Sequence, residues 1–231
     1  MNIVKNMLYS LVALVLMTNV AYSDGADSHQ GIYVGAYTQF TGVELDGNET
    51  GQNDTTTGAV GKYAVIAGGE LGYNWQLGDG FLIGLGYDFM PGEAKVSNRT
   101  TGSDSTHSNT SAAISFEVSD MATMYIAPTI AVSDTSAIYL KYGKTDADTK
   151  VVGDVTKPTS MDGTTFAIGS TTQFASGFYF KTEAGYVDFD QVKVTGLGTS
   201  DGAGGTIVPT TTSVTVDPTL AYGRIALGYK F

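Results

Sequence analysis

Two runs of alternating residues flank a short turn in the sequence GELGYNWQLGDGFLIGLGYDF, residues 69–89. The first run places Leu71, Tyr73 and Trp75 on one face and small or polar residues on the other. The second run repeats this pattern, with apolar residues at alternate positions from Phe81 to Phe89. A period of two predicts β-strands, and the Gly-Asp-Gly between the runs predicts a tight hairpin. Each strand is therefore expected to have one apolar face and one face of small or polar side chains.

The same alternation recurs in six further segments, which makes eight in all. No stretch after Gln30 shows apolar residues at helical spacing, so the sequence predicts an all-β protein. The fourth segment is the least regular, and residues 113–120 could lengthen it or add strands to give a ten-stranded barrel. The six further segments are residues 31–42, 121–132, 138–143, 165–174, 178–186 and 221–231.

The links between the segments alternate in length. This alternation predicts an eight-stranded antiparallel up-and-down transmembrane β-barrel with short periplasmic turns and long extracellular loops. A soluble β-sandwich is the alternative, but it does not require small residues opposite its apolar face. The short links are residues 76–80, 133–136 and 175–177, and the long links are residues 44–61, 92–120, 147–163 and 196–213.

The composition excludes several functions. Charged residues make up 15% of the chain, whereas an ordinary soluble domain has about 25%. The chain has 12 basic and 23 acidic residues and a formal net charge of -11, so it lacks the basic surface that nucleic-acid binding requires. It has no cysteine, which excludes disulfides, thiolate catalysis and metal sites that depend on cysteine.

The N-terminus has the pattern of a secretory signal peptide. Lys5 is the only charged residue in the first 23, an apolar run follows from Met7 to Met17, and Ala21-Tyr22-Ser23 offers small residues for cleavage. An apolar run of this length is too short to span a bilayer as a helix, which needs about 20 residues. We therefore expect residues 1–23 to be removed and residues 24–231 to form the barrel domain.

Charged side chains recur on the small, polar face of the strands. They lie at similar distances from the short turns, so in a barrel they would meet in two layers inside the lumen. A buried charge is costly unless it is paired, and we therefore expect a network in which Glu183 and Arg224 are partners. The predicted lumen charge network consists of Glu70, Asp88, Lys141, Lys181, Glu183 and Arg224.

The C-terminal sequence GRIALGYKF, residues 223–231, resembles the assembly signal of bacterial outer-membrane barrels. Together with the strands 69–75 and 82–89, it resembles the small eight-stranded OmpA/OmpX and opacity-type family. The resemblance implies the outer membrane of a Gram-negative bacterium, contact with its lipids and lipopolysaccharide, and assembly by the barrel assembly machinery with periplasmic chaperones. We also expect the barrel to be a monomer. The signal residues are Gly223, Ile225, Leu227, Tyr229 and Phe231.

The lumen of an eight-stranded barrel is just wide enough for side chains to fill it. We therefore expect a non-enzymatic barrel, porin-like in architecture but without a diffusion pore, that contributes to outer-membrane structure and presents loops at the surface. Alternatives are a surface adhesin or receptor with an unidentified ligand and, less strongly supported, a lipid-modifying enzyme or a narrow channel.

The sequence predicts no catalytic, cofactor-binding or metal-binding residues. An enzyme of this kind would need a base beside a nucleophile, yet His29 precedes the first strand and His107 lies in a loop rich in Ser and Thr. The acidic loop residues Asp46, Glu49 and Asp54 lack the spacing of a calcium-binding loop. They are better explained as solvated surface charges.

Overall fold

The computed structural model describes residues 26–50, 55–99, 114–152, 156–196 and 213–231. It is a closed antiparallel β-barrel, which confirms the predicted fold class. Successive strands pair with each other, and the first and last strands pair to close the barrel. The elements are α1 (Ala26–His29), β1 (Gly31–Thr50), β2 (Thr55–Gly78), β3 (Phe81–Arg99), β4 (Ile114–Ala131), β5 (Ser136–Val152), β6 (Ser160–Gln173), β7 (Phe178–Phe189), β8 (Val192–Thr195) and β9 (Ser213–Lys230).

The nine strand segments form eight barrel strands. Both β7 and β8 pair with β9, so β8 continues β7 after an interruption at Asp190 and Gln191. Residues 114–120 belong to the continuous strand β4 and lengthen its hairpin with β3. The ten-stranded alternative is therefore wrong. The predicted signal peptide lies outside the described residues, and none of the described helices is long and apolar enough to cross a membrane.

The strands β1, β5 and β7 change their polarity along their length, and β5 shows the change well. Near its short turn, Tyr142 points outward and is exposed, whereas Lys141 points into the lumen and is buried. Farther along the same strand, Lys144 and Asp146 are exposed on the outside and Val151 is buried on the inside. The barrel therefore has an apolar outer band around a polar lumen at the short-turn end, and the opposite arrangement at the other end.

The inner side chains at the end away from the short turns form a cluster that we call the apolar core. It accompanies a correction to the predicted bounds of three long links, because their described residues 44–50, 55–61, 92–99, 114–120, 147–152 and 160–163 lie in strands. The fourth long link, residues 196–213, lies almost entirely outside the described residues. At the level of the apolar core, the apolar residues change from the outward to the inward positions of the strand. The sequence still alternates with a period of two, but the apolar residues are shifted by one position. The apolar core contains Tyr37, Met90, Met121, Ala147, Val151, Met161, Ala167, Val187, Phe189, Val192, Val194, Leu220, Tyr222 and Ala226.

Pairing between β2 and β3 stops part of the way along both strands. It runs from Gly78↔Phe81 to Gly69↔Phe89, although β2 continues to Thr55 and β3 to Arg99. Just beyond this point β3 contains Pro91 and a register shift, and β4 contains Asp120 with φ of 47°. Proline has no N–H to donate, and bulges bend a strand away from its neighbour. These features separate the far part of β3 from β2.

The segment Ala26–Gln30 folds across the short-turn end of the barrel, and we call it the N-terminal cap. The His29 ring donates through Nε2 to the carbonyl oxygen of Ser133 at 3.2 Å. Asn74 Nδ2 donates to the carbonyl oxygen of His29 at 3.1 Å, and Lys230 Nζ donates to that of Gln30 at 2.9 Å. His29 is 2% exposed and lies across the short-turn end of the barrel. The sequence analysis gave this residue no role.

We expect acid to loosen the N-terminal cap. Burial lowers the pKa of His29 from its ordinary value of 6.5, and Lys230 lowers it further, whereas the Ser133 carbonyl and Asp134 oppose the shift. A histidine with a lowered pKa stabilises the folded state in its neutral form, so its contribution is complete above about pH 6.5 and is lost as the pH falls below that value. Hydrogen exchange of the backbone amides at residues 27–30, followed against pH in lipid vesicles, measures the effect.

The matched control is His29→Gln, which keeps a donor for the Ser133 carbonyl but does not titrate in this range. Its exchange rates are expected to show no step below about pH 6.5. If the variant and the original protein respond alike to acid, another group controls the cap.

Candidate functional site

Inward-facing tyrosines lie over inward-facing glycines of neighbouring strands. A Cβ built on Gly185 would lie 2.3 Å from Cζ of Tyr222, and one built on Gly86 would lie 2.3 Å from Cζ of Tyr125. The glycines therefore leave the space that the rings occupy, and the rings extend across the lumen. The tyrosines placed in this way are Tyr33, Tyr37, Tyr125, Tyr139, Tyr179 and Tyr222.

The structure places all six predicted lumen charges inside the barrel, and four of them form one cluster. Lys141 Nζ lies 2.6 Å from Glu183 Oε2 and 3.0 Å from Asp88 Oδ2. Arg224 Nη1 lies 2.6 Å from Asp88 Oδ2 and 3.6 Å from Glu183 Oε1. The two carboxylates thus share two cations. Glu183 and Arg224 are cross-strand neighbours, as the sequence analysis expects, but the shorter contact of Glu183 is with Lys141.

The remaining two charges form a second pair. Lys181 Nζ lies 3.0 Å from Glu70 Oε1, and the Tyr179 hydroxyl donates to the same oxygen at 2.7 Å. Lys181 Nζ also lies 3.9 Å from the centroid of the Tyr33 ring, a distance suited to a cation–π contact. Three acidic and three basic side chains therefore balance one another in the lumen.

Uncharged side chains complete the network, and the sequence analysis did not identify them. The hydroxyls of Tyr139 and Tyr222 each donate to Glu183 at 2.8 Å. Arg224 donates to Gln39 Oε1 through Nε at 3.1 Å and through Nη2 at 2.9 Å. The available signal was the run of tyrosines at inward positions opposite glycines, because a long ring fits only where its neighbour is small.

The network and its neighbours fill the lumen. A cavity of about 30 Å³ separates the network from the N-terminal cap, and one of about 10 Å³ separates it from the apolar core. A cavity of the smaller size holds about one water molecule. Between the cap and the core, the described side chains therefore leave space for small water clusters rather than for a continuous channel.

The described residues contain no group of three or more acidic or histidine side chains arranged to hold a metal ion. Of the two histidines, His29 is held in the N-terminal cap, and His107 lies outside the described residues. Asp54 also lies outside them. The chemistry of the lumen is therefore that of paired, hydrogen-bonded charges.

The predicted assembly-signal residues Gly223, Ile225, Leu227, Tyr229 and Phe231 form a row on the outer face of the barrel. All five are exposed, and Phe231 is 73% exposed. The Phe231 N–H donates to the carbonyl oxygen of Ile32 at 2.9 Å, and the Phe231 and Tyr229 ring centroids lie 5.0 Å apart. The end of the chain thus presents an apolar, aromatic surface beside the seam that closes the barrel.

We expect Phe231→Ala to reduce assembly into membranes. The substitution removes an exposed aromatic ring from the row while leaving the backbone hydrogen bond of residue 231 in place. Heat-modifiable migration in gels measures the folded fraction. The matched control is Phe174→Ala, which removes a ring that is 53% exposed at the short link between β6 and β7. Equal folded fractions for the two variants would show that the end of the chain has no special role.

Comparisons with known proteins support the fold. No family model matches the chain, and no curated protein matches it. The outer-membrane protein OprG of Pseudomonas aeruginosa has a TM-score of 0.55 at 14% identity, with 87% of this chain and 96% of that chain covered. The outer-membrane protein AlkL, solved in lipid bilayers, has a TM-score of 0.51 at 15% identity, with 93% of this chain and 94% of that chain covered.

The likeness and the architecture agree. The closed barrel, its exposed apolar band and its short turns at one end are the features of a transmembrane barrel. The chain therefore has the fold of the small eight-stranded outer-membrane β-barrels.

Proposed function

We propose that this protein is a non-enzymatic outer-membrane barrel with a closed lumen that supports a rigid platform at the cell surface. The observation that carries the proposal is the continuous filling of the barrel, from the N-terminal cap through the charge network to the apolar core. A filled lumen does not conduct solutes. The outer membrane of a Gram-negative bacterium, with contact to its lipids and lipopolysaccharide, is part of this proposal.

The apolar core supports the second part of the proposal. Beyond the outer apolar band the strands have exposed charged residues outside and apolar residues inside, as in a soluble barrel. Apolar packing of this kind stiffens a structure, because interiors are dense and transmit strain. The strand extensions can thus hold the surface loops away from the membrane, where a ligand would meet them.

Two measurements test this function. Single-channel recording in planar bilayers is expected to show no stable conductance, and a large stable conductance would refute the closed lumen. Binding of whole cells to host-cell or bacterial surfaces, compared between the original protein and variants in which each surface link is shortened in turn, tests the platform. Binding that does not change on shortening any of the surface links would refute a loop-mediated role and leave a structural one.

A further inference from the structure

One carboxylate oxygen of the charge network has no donor among the described residues. Asp88 Oδ2 is close to both of its cations, Lys141 Nζ at 3.0 Å and Arg224 Nη1 at 2.6 Å. Asp88 Oδ1, on the same carboxylate, is buried and accepts no hydrogen bond from the part of the chain that the structure describes. A buried carboxylate oxygen without a donor is costly, and buried polar groups almost always have a partner. We therefore expect a donor from outside the chain at this oxygen.

The cavity of about 10 Å³ beside the apolar core lies at this residue, and we call it the Asp88 chamber. Asp88, Thr123, Thr165 and Gln39 are among the residues of its wall. Thr123 is the cross-strand partner of Asp88 in the β3–β4 pairing, so the two side chains project into the lumen side by side. A space of this size holds about one water molecule, which needs two to four polar partners in a buried site. The chamber supplies both the space and the partners.

We propose that the Asp88 chamber binds one long-lived water molecule, which donates to Asp88 Oδ1 and accepts from the Thr123 hydroxyl. This inference rests on the closed lumen of the proposed function, because a trapped water exchanges slowly only where no channel reaches it. The water molecule completes the charge network on the side that faces the apolar core.

A chain of three buried hydroxyls supplies the second argument. Thr123 Oγ1 lies 2.8 Å from Thr145 Oγ1, and Thr145 Oγ1 is hydrogen-bonded in turn to Thr165 Oγ1. Three hydroxyls have three protons and share two hydrogen bonds, so one proton remains to be donated elsewhere. The negative charge of Asp88 beside Thr123 favours the arrangement in which this remaining proton belongs to Thr123. The Thr123 hydroxyl then donates into the chamber, where the water molecule accepts.

The charge balance favours water over a metal cation. Asp88 and Glu183 are two negative charges that share the two positive charges of Lys141 and Arg224. This cluster has no net charge to attract a further cation, and Arg224 itself lines the chamber. Hard cations also need several oxygen ligands, whereas the chamber holds about one water molecule.

Transfer of magnetisation from water to threonine methyl groups, measured by nuclear magnetic resonance, tests the proposal. The folded barrel is studied in bilayers of deuterated phosphatidylcholine after its folding is checked by heat-modifiable migration. We expect transfer to the methyl groups of Thr123 and Thr165, which line the chamber. Thr145 is the matched control, because it is 1% exposed and belongs to the same hydroxyl chain but does not line the chamber.

Two variants of Thr123 test its role as the donor. Thr123→Val replaces the hydroxyl with a methyl group of similar size, and it is expected to reduce the transfer to the Thr165 methyl group several-fold. Thr123→Ser keeps the hydroxyl and is expected to keep that transfer. Equal transfer in both variants would overturn the proposal.

Three further outcomes would also overturn it. The first is the absence of transfer to Thr123 and Thr165 in a folded, non-conducting barrel, which would leave the closed lumen intact. The second is equal transfer to Thr145, which indicates mobile water throughout the lumen and would accompany a stable conductance if the closed lumen were wrong. The third is a higher urea midpoint in sodium or potassium chloride than in choline chloride of equal concentration, lost in Thr123→Val, which would identify a metal cation instead.

Discussion

Replacing Lys141 with methionine is expected to destabilise the folded barrel by about 3–5 kcal/mol, the cost of leaving buried carboxylates without their cation. The Lys141 side chain is 1% exposed and contacts both Asp88 and Glu183. After the substitution, Arg224 alone would serve two carboxylates. Equilibrium unfolding by urea in lipid vesicles measures the loss. Lys144→Met is the control, because Lys144 is exposed on the same strand and its Nζ donates to the Thr164 hydroxyl at 2.9 Å rather than to a buried carboxylate.

A double-mutant cycle separates the pair from its surroundings. Lys141→Met combined with Glu183→Gln is expected to cost less than the sum of the single changes, since each removes the partner of the other. The same cycle with Arg224→Met and Glu183→Gln should give a smaller coupling, because that contact is 3.6 Å rather than 2.6 Å. Additive losses in the first cycle would show that Lys141 and Glu183 do not stabilise each other.

Gly68→Ala is expected to destabilise the barrel by about 1–3 kcal/mol, the usual cost of overpacking a dense interior. A Cβ on Gly68 would lie 2.4 Å from Cζ of Tyr37 and 2.6 Å from the carbonyl oxygen of Phe89. The tyrosine ring could turn away, but the backbone oxygen could not. Displacement of Tyr37 would also disturb Arg224, whose Cζ lies 3.8 Å from the centroid of the Tyr37 ring.

The adjacent glycine provides the control for this substitution. A Cβ on Gly69 would meet only the carbonyl oxygen of Gly35, at 3.6 Å, which is an ordinary contact. Gly69→Ala should therefore unfold at nearly the same urea concentration as the original protein. If the two alanine variants prove equally stable, the tyrosine–glycine packing does not constrain the lumen.

The membrane-level part of this fold is readable from the sequence, because a single physical rule governs it. Lipid outside and a narrow lumen inside force alternate residues to differ, and this rule reveals the strands and the inward position of the charges. Glu183 and Arg224 lie on adjacent strands, so their proximity follows from register alone. Register alone does not predict that Glu183 lies closer to Lys141 than to Arg224, since this depends on how far Lys141 extends across the lumen from β5.

The rule fails where its cause changes. Beyond the apolar band the outside is polar, so apolar residues such as Val151 on β5 and Val187 on β7 occupy the inward positions. The strand geometry continues unchanged, but the apolar–polar pattern of the sequence shifts by one residue. In the sequence this shift interrupts the apolar alternation, and such an interruption favours a loop. The N-terminal cap leaves no periodic signal because α1 has only four residues. The end of β2–β3 pairing has one visible cause, Pro91, but one proline does not predict how far a strand departs.

The reversal of polarity along the strands also fixes the depth of the barrel in a bilayer. On β1, β5 and β7 the change from an outward-facing aromatic to a charge takes only a few residues, at Phe40 and Glu44, Tyr142 and Lys144, and Tyr186 and Asp188. Movement of the barrel toward the cell interior would bring these charges into the hydrocarbon of the bilayer. Movement in the opposite direction would bring the aromatic side chains into water. A bilayer of different thickness must therefore stretch or thin around the barrel, at a cost of fractions of a kcal/mol per Å. The protein thus sets the thickness of the bilayer in the lipids that contact it.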